Sequence, residues 1–269
     1  MRDLKTVSIL ILLMSLVSIV FSGCGSGIVY ENEATATAQA ERAVVQATAM
    51  ARRLQETVQT LNEQAAATAV AKKVLFDKAA TWPVVHSDAF EANEVDWFEG
   101  SDDDPQFALI NWEIAGGKYT WRADAYDGFV WWVVPEVERV DDFYYSLTAQ
   151  QLEGPETGEY GLVFRQNDNG SYYVFGISEV GQFSVFLFDG QHWVTLKDWS
   201  ESAAINSDAP NILSVIAQNT SYYLFINGEL VGEIDDVRLA GGQVGLMISL
   251  SEEGDEATWE FDNFELRAP

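Results

Sequence analysis

One cysteine, Cys24, and two histidines, His86 and His192, are the only thiol and imidazole groups in 269 residues. A lone thiol closes no internal disulfide, so stability has to come from packing. Without a His-x-x-x-His pair a zinc site is short of ligands. His86-Ser87-Asp88 are chain neighbours, and extended neighbours do not converge as a catalytic triad. No glycine-rich loop follows a strand and opens a helix, which argues against nucleotide phosphates as ligands. Basic residues are scarce too, with 15 Lys and Arg against 42 Asp and Glu for a net charge of −27. Downstream of residue 80 there are 35 acids and 7 bases, net −28. Such a surface repels phosphate backbones, so nucleic acid is not an expected partner, nor is direct adhesion to anionic lipid. No apolar run reaches the ~20 residues needed to span a bilayer as a helix.

What is present begins with Arg2 and Lys5, an apolar run from Val7 to Phe21, and Ser22-Gly23-Cys24. A basic head, a short apolar segment and small residues read as a secretory signal over residues 1–23. The small-Gly-Cys tripeptide resembles the lipobox of bacterial lipoproteins, with Phe21 standing where an aliphatic residue is usual. The resemblance implies acylation of Cys24, cleavage before it, and a protein held at the cell membrane on its extracellular face. Ordinary signal cleavage, or an uncleaved anchor with a free thiol, are the other readings.

Residues 24–80 read as an Ala/Thr-rich stalk, and residues 31–80 contain neither Gly nor Pro. The absence of breakers favours helix. A 3-4 spacing runs through Val44, Ala47, Ala51, Leu54, Val58, Leu61, Ala65, Thr68, Lys72 and Leu75. The expectation is a long N-terminal helix, single or weakly self-associating, of roughly 70 Å at ~1.5 Å per residue. A flexible, partly helical linker is the alternative, and either serves as a tether.

From Trp82 onward the composition changes: all nine Trp, nine of ten Tyr, thirteen of fifteen Phe and seventeen glycines lie here. Short aromatic and β-branched runs broken by Gly, Asn and Asp indicate a many-stranded antiparallel fold over residues 81–269. Tyr160–Arg165 and Ser171–Ile177 flank the turn Asn167–Gly170, and Asn227-Gly228 marks a tight hairpin. Tyr160-Gly-Leu-Val-Phe-Arg165, Tyr172-Tyr173, Gly181-Gln-Phe183, Gly242-Gln-Val-Gly245 and Phe261-Asp-Asn-Phe264 together resemble concanavalin A-like lectin/glucanase sandwiches, specifically LamG-like and DUF1080-like domains of bacterial surface proteins. The resemblance implies an all-β jelly roll. It also implies glycan or protein binding, glycoside hydrolysis in some members, and structural calcium in others.

Strand parity, with the greasier residues turned to the core, leaves Tyr144, Ser146, Arg165 and Tyr172 on an outer face as candidate ligand contacts. Sugars ask for such a set, aromatic faces for C–H surfaces and forked donors for hydroxyls. A structural ion pair is the other reading of Arg165. His192, Trp193 and Trp199 form a second candidate patch, with core filling as its alternative. Glu94-Val-Asp96-Trp-Phe-Glu99 matches the E-x-D-x-x-E strand motif of laminarinase-type glycosidases, in which the first Glu is the nucleophile and the last the acid/base. Alternate carboxylates on one strand face suit retaining hydrolysis. The motif's early position and acidic surroundings count against it. Asp102–Asp104, Asp141-Asp142, Asp235-Asp236 and Asp262 offer oxygens for calcium, or else sit in solvated turns. The expectation is thus a lipid-anchored surface protein with a non-catalytic sandwich that binds an extracellular glycan. A glycosidase using Glu94 and Glu99, or a module that meets an envelope protein, are the alternatives.

Overall fold

The computed structural model describes residues 29–269, so the signal segment and Cys24 lie outside the described residues. The chain divides into two compact units, residues 1–67 and 68–269. Helix α1, Val29–Ala79, fills the described part of the first and opens the second. Among the described residues of the first unit, every one from 35 to 67 is exposed. Local pairs support the helix: Arg52 Nε donates to Glu56 Oε1 at 3.0 Å, and Gln59 Nε2 to Glu63 Oε1 at 2.9 Å. Such i,i+4 pairs contribute about 0.2–0.5 kcal/mol each. No helix among the described residues is long and apolar enough to cross a membrane.

In the second unit the last turns of α1 do have a face to bury. Leu75, Phe76, Ala79 and Trp82 pack with Tyr144, Ile216, Tyr223 and Phe225. Phe76 lies 4.7 Å from the Phe225 ring and meets Tyr144 edge-on at 5.7 Å. Lys72 Nζ reaches Glu233 at 2.7 Å and sits over the Tyr223 ring. The helix stops where Thr81 Oγ1 takes up the Lys78 carbonyl at 2.7 Å, just before Pro83.

The rest of this unit is an antiparallel β-sandwich. Its strands are β1 (Val84–Asp88), β2 (Gly100–Asp104), β3 (Ala108–Ala115), β4 (Lys118–Ala125), β5 (Phe129–Val133), β6 (Phe143–Glu153), β7 (Glu159–Gln166), β8 (Tyr172–Ser178), β9 (Gln182–Phe188), β10 (Trp193–Glu201), β11 (Asn211–Gln218), β12 (Ser221–Ile226), β13 (Glu229–Asp235), β14 (Gln243–Leu250) and β15 (Glu256–Arg267). One sheet runs β13-β12-β11-β6-β15-β4-β3-β2, with β1 added along β15; the other runs β10-β9-β8-β7-β14-β5. The fold class expected from the turn and aromatic pattern is the one observed.

Alternation builds the core. Ala108, Ile110 and Trp112 on β3, and Tyr119, Trp121 and Ala123 on β4, turn inward while their neighbours face out. Tyr145 on β6 donates its hydroxyl to the Gly245 carbonyl of β14 at 2.8 Å, tying the sheets together. Asn227 and Gly228 both adopt positive φ, 53° and 79°, as the two-residue hairpin between β12 and β13 requires. The acidic stretch Asp102–Asp104 lies in β2, at the edge of its sheet, where charge discourages pairing with another chain.

Candidate functional site

The parity of β6 is as expected: Phe143, Tyr145 and Leu147 enter the core, and Tyr144 and Ser146 face away from it. That outer surface is nevertheless not free. Tyr144 is buried under the end of α1, and Ser146 is buried in a hydroxyl chain, receiving the Ser214 hydroxyl at 3.2 Å. Composition placed α1 apart from the sandwich, so its cover was not anticipated.

Arg165 requires a larger correction. It is wholly buried on the inner side, not the outer. Between Gly245 and Gln243 on β14 the partner strand β7 advances from Val163 to Gln166, one residue extra, and Arg165 takes φ 52°. This bulge breaks the period of two and turns the side chain inward. Its guanidinium donates to Tyr222 Oη (2.5 Å) and to the carbonyls of Leu239 (2.5 Å), Asp141 (2.9 Å) and Asn219 (2.7 Å). It ties loops together and contacts no groove. Gly242 permits the bulge, since a Cβ there would meet the Arg165 backbone at 2.4 Å.

Glu94, Asp96 and Glu99 are not on a strand. They are exposed in the irregular segment between β1 and β2, where the buried residues are Phe90, Val95 and Trp97. Asp96 has φ 56°, and Glu99 accepts hydrogen bonds from Ile114 N at 3.1 Å and Asn93 Nδ2 at 3.3 Å. The strand on which a laminarinase-type motif sits is absent here. Four of the carboxylates considered for calcium have other partners: Asp262 binds Lys118 Nζ at 2.5 Å, Asp142 accepts Asn219 N, Asp235 accepts Ser221 Oγ and Asp236 grips Arg238. Among the described residues no three His, Cys, Asp or Glu side chains are gathered as a metal site.

Tyr172 alone of the four expected contacts borders an open groove, and even it is buried, 1% exposed, beneath its aromatic neighbours rather than presented to solvent. It lies on the outer face of the six-stranded sheet, with Val163, Val174 and Met247, ringed by Trp132 and Phe188. Its ring is 4.6 Å from Trp132, 5.6 Å from Phe188 and 5.8 Å, edge-on, from Trp193. The groove, about 920 Å³, runs by the β5 edge and also meets Phe107, Trp131 and Ser249. Such volume suits a small ligand or a few sugar rings. Trp193 is therefore at the surface, as the second candidate patch allowed; Trp199 is half-buried near Phe186, and His192 is exposed.

The same face has a polar end. Glu159 pairs across to Ser178 and Ser249, and Gly176 pairs with Ser184, so these residues share one side. A Cβ at Gly176 would lie 3.7 Å from Glu159 Oε2 and 3.9 Å from Ser184 Oγ, so the missing side chain leaves a notch between carboxyl and hydroxyl. Ser184 Oγ is buried without a hydrogen-bond partner. Burial pushes the Glu159 carboxyl up to about 7. Glu159 is the one acidic residue in β7, β8, β9 and β14. Neither Glu159 nor Trp132 was singled out in the sequence; a lone acid opening an apolar strand, and the doublet Trp131-Trp132, were the available signals.

No protein-family sequence profile matches the chain, and no curated protein matches it. Solved structures do. LamAcat from Zobellia galactanivorans is 9% identical, covering 71% of this chain and 100% of its own, with a TM-score of 0.51. A GlcNAcα1-4Gal-releasing endo-β-galactosidase from Clostridium perfringens is 12% identical, over 71% of this chain and 63% of its own, TM-score 0.50. The carbohydrate binding module CBM66 from Bacillus subtilis is 17% identical, over 70% and 95%, TM-score 0.47. At such identities the likeness speaks for architecture, and what it shows is that residues 68–269 hold an antiparallel β-sandwich of the jelly-roll kind.

Proposed function

We propose that this protein binds an extracellular polysaccharide in the groove of its six-stranded sheet, without hydrolysing it, while Cys24 anchors it to the membrane. The observation that carries the reading is the aromatic array Trp132, Tyr172, Phe188 and Trp193 beside a hydroxyl- and carboxyl-bearing end of the same face. Ring faces take the C–H surfaces of sugars, and Glu159 and Ser249 offer partners for their hydroxyls. The named activity of the Clostridium perfringens endo-β-galactosidase, on a fold of the same kind, agrees with a carbohydrate ligand. Glycoside hydrolysis draws on a pair of carboxyl groups flanking the scissile bond. The four central strands supply one, Glu159, and Asp104 of β2 lines the groove, so release of reducing ends is the measurement that separates binding from cleavage.

Affinity electrophoresis of the full chain through gels with embedded neutral polysaccharides tests this. Retardation by one of them is expected, weakened about tenfold by Trp193→Ala and by Trp132→Ala, as loss of a central aromatic contact costs more than ~1 kcal/mol. Retardation untouched by either substitution would move the site elsewhere. Release of reducing ends, abolished by Glu159→Gln, would replace the binding reading with an enzymatic one. No retardation by any glycan, with recovery of an envelope protein on cross-linking, would favour the protein-interaction alternative.

A further inference from the structure

Helix α1 is fully exposed from residue 35 to residue 67, yet its side chains are sorted around its axis. With heptad position a at Val44, Ala51, Val58 and Ala65, position d falls on Ala47, Leu54 and Leu61. Between residues 42 and 67 the charged residues are Arg42, Arg52, Arg53, Glu56 and Glu63, and all five fall at b, c or f. The flanking e and g positions carry only Ala, Thr, Gln, Asn and Met. Large apolar side chains on or beside the seam stand in solvent, from Val58 at 47% to Met50 at 75% exposed. The Arg52–Glu56 and Gln59–Glu63 pairs join b to f, so the polar groups are satisfied away from the seam.

We infer that the occupant of this face is a second copy of the same chain, in a parallel two-stranded coiled coil over residues 44–65. Val at a with Leu at d favours two parallel strands. Flanks without charge let identical helices approach in register without repulsion between like groups. Three alanines in the seam keep the apolar contact small, so the dimer dissociates on dilution. Further along, Lys72 and Leu75 are engaged within the second unit, which ends the free stripe before them. This goes beyond glycan binding: two grooves in one assembly raise avidity on a repeating polymer.

Sedimentation velocity of the full chain carrying Cys24→Ser, in mild detergent, reads the mass directly. Twice the chain mass is expected, falling toward one on dilution. Leu54→Lys with Leu61→Lys should leave a monomer, whereas Gln46→Lys with Thr60→Lys, both at c, should leave the dimer intact. Val58→Cys in the same background should oxidise to a cross-linked pair. Trp193→Ala, on the groove, should dimerise normally, which separates this test from that of glycan binding. A monomer at all concentrations, a dimer indifferent to the seam lysines, or a dimer that the Val58→Cys substitution fails to cross-link would each overturn the proposal.

Discussion

Arg165 and Glu159 sit on the same strand, the first buried and the second half-buried, for different reasons. Arg165 is a charge inside the sandwich with four oxygens around two of its nitrogens. Arg165→Ala should therefore destabilise the fold by about 3 kcal/mol in urea unfolding, because it strands carbonyls and opens a cavity. Loss of glycan retention in that variant would follow from unfolding and not from a missing contact. Glu159 is held in its neutral form up to about pH 7. The native state then binds more protons than the unfolded chain between the ordinary glutamate range and pH 7, so stability declines as pH rises through that window. Glu159→Gln should flatten this slope and raise stability at pH 8 by about 2 kcal/mol, read from unfolding midpoints at pH 5 and pH 8. A bound sugar that excludes water from the carboxyl favours the proton further, so affinity should fall above pH 7 in the native protein and not in Glu159→Gln.

At the scale of elements, the end of α1 belongs to the sandwich. Phe76, Ala79 and Trp82 cover Tyr144, Ile216 and Phe225, a face of β6, β11 and β12 that otherwise meets water. A fragment of residues 68–269 should melt several degrees above one of residues 81–269, at about 2–4 °C per kcal/mol for a domain of this size. Phe76→Ala should cost roughly 2 kcal/mol in the longer fragment and have no counterpart in the shorter one. Equal melting temperatures would mean that the packed turns contribute nothing. The strands beside clear turns are readable: β7 and β8 fall within a residue of the runs Tyr160–Arg165 and Ser171–Ile177 on either side of the turn Asn167–Gly170. Parity along β6 was also readable. What parity does not contain is an extra residue, and the bulge at Arg165 reverses it from there on.

For the whole molecule, the net charge of −28 over residues 81–269 is the dominant long-range property. It predicts that neutral polysaccharides are retained better than sulfated or carboxylated ones of the same backbone. The disadvantage of the anionic polymers should shrink as salt rises from about 0.01 to about 0.5 M, when the screening length drops from ~30 Å to a few ångströms. Stronger retention of an anionic polymer at low salt would contradict this and point to a local basic site.

Composition and periodicity determined the helix without breakers, the strand sequence, the hairpin at Asn227-Gly228 and the overall sign of charge, because each is set by local backbone preference or by simple sums. Tertiary structure alone decided which outer face stayed open. The face of Tyr144 is closed by α1, that of Arg165 is turned inward by one inserted residue, and Trp132, Tyr172 and Trp193 meet only because β5, β8 and β10 are arranged in one sheet. Such convergence depends on strand order and register between distant segments, which single-sequence periodicity does not encode.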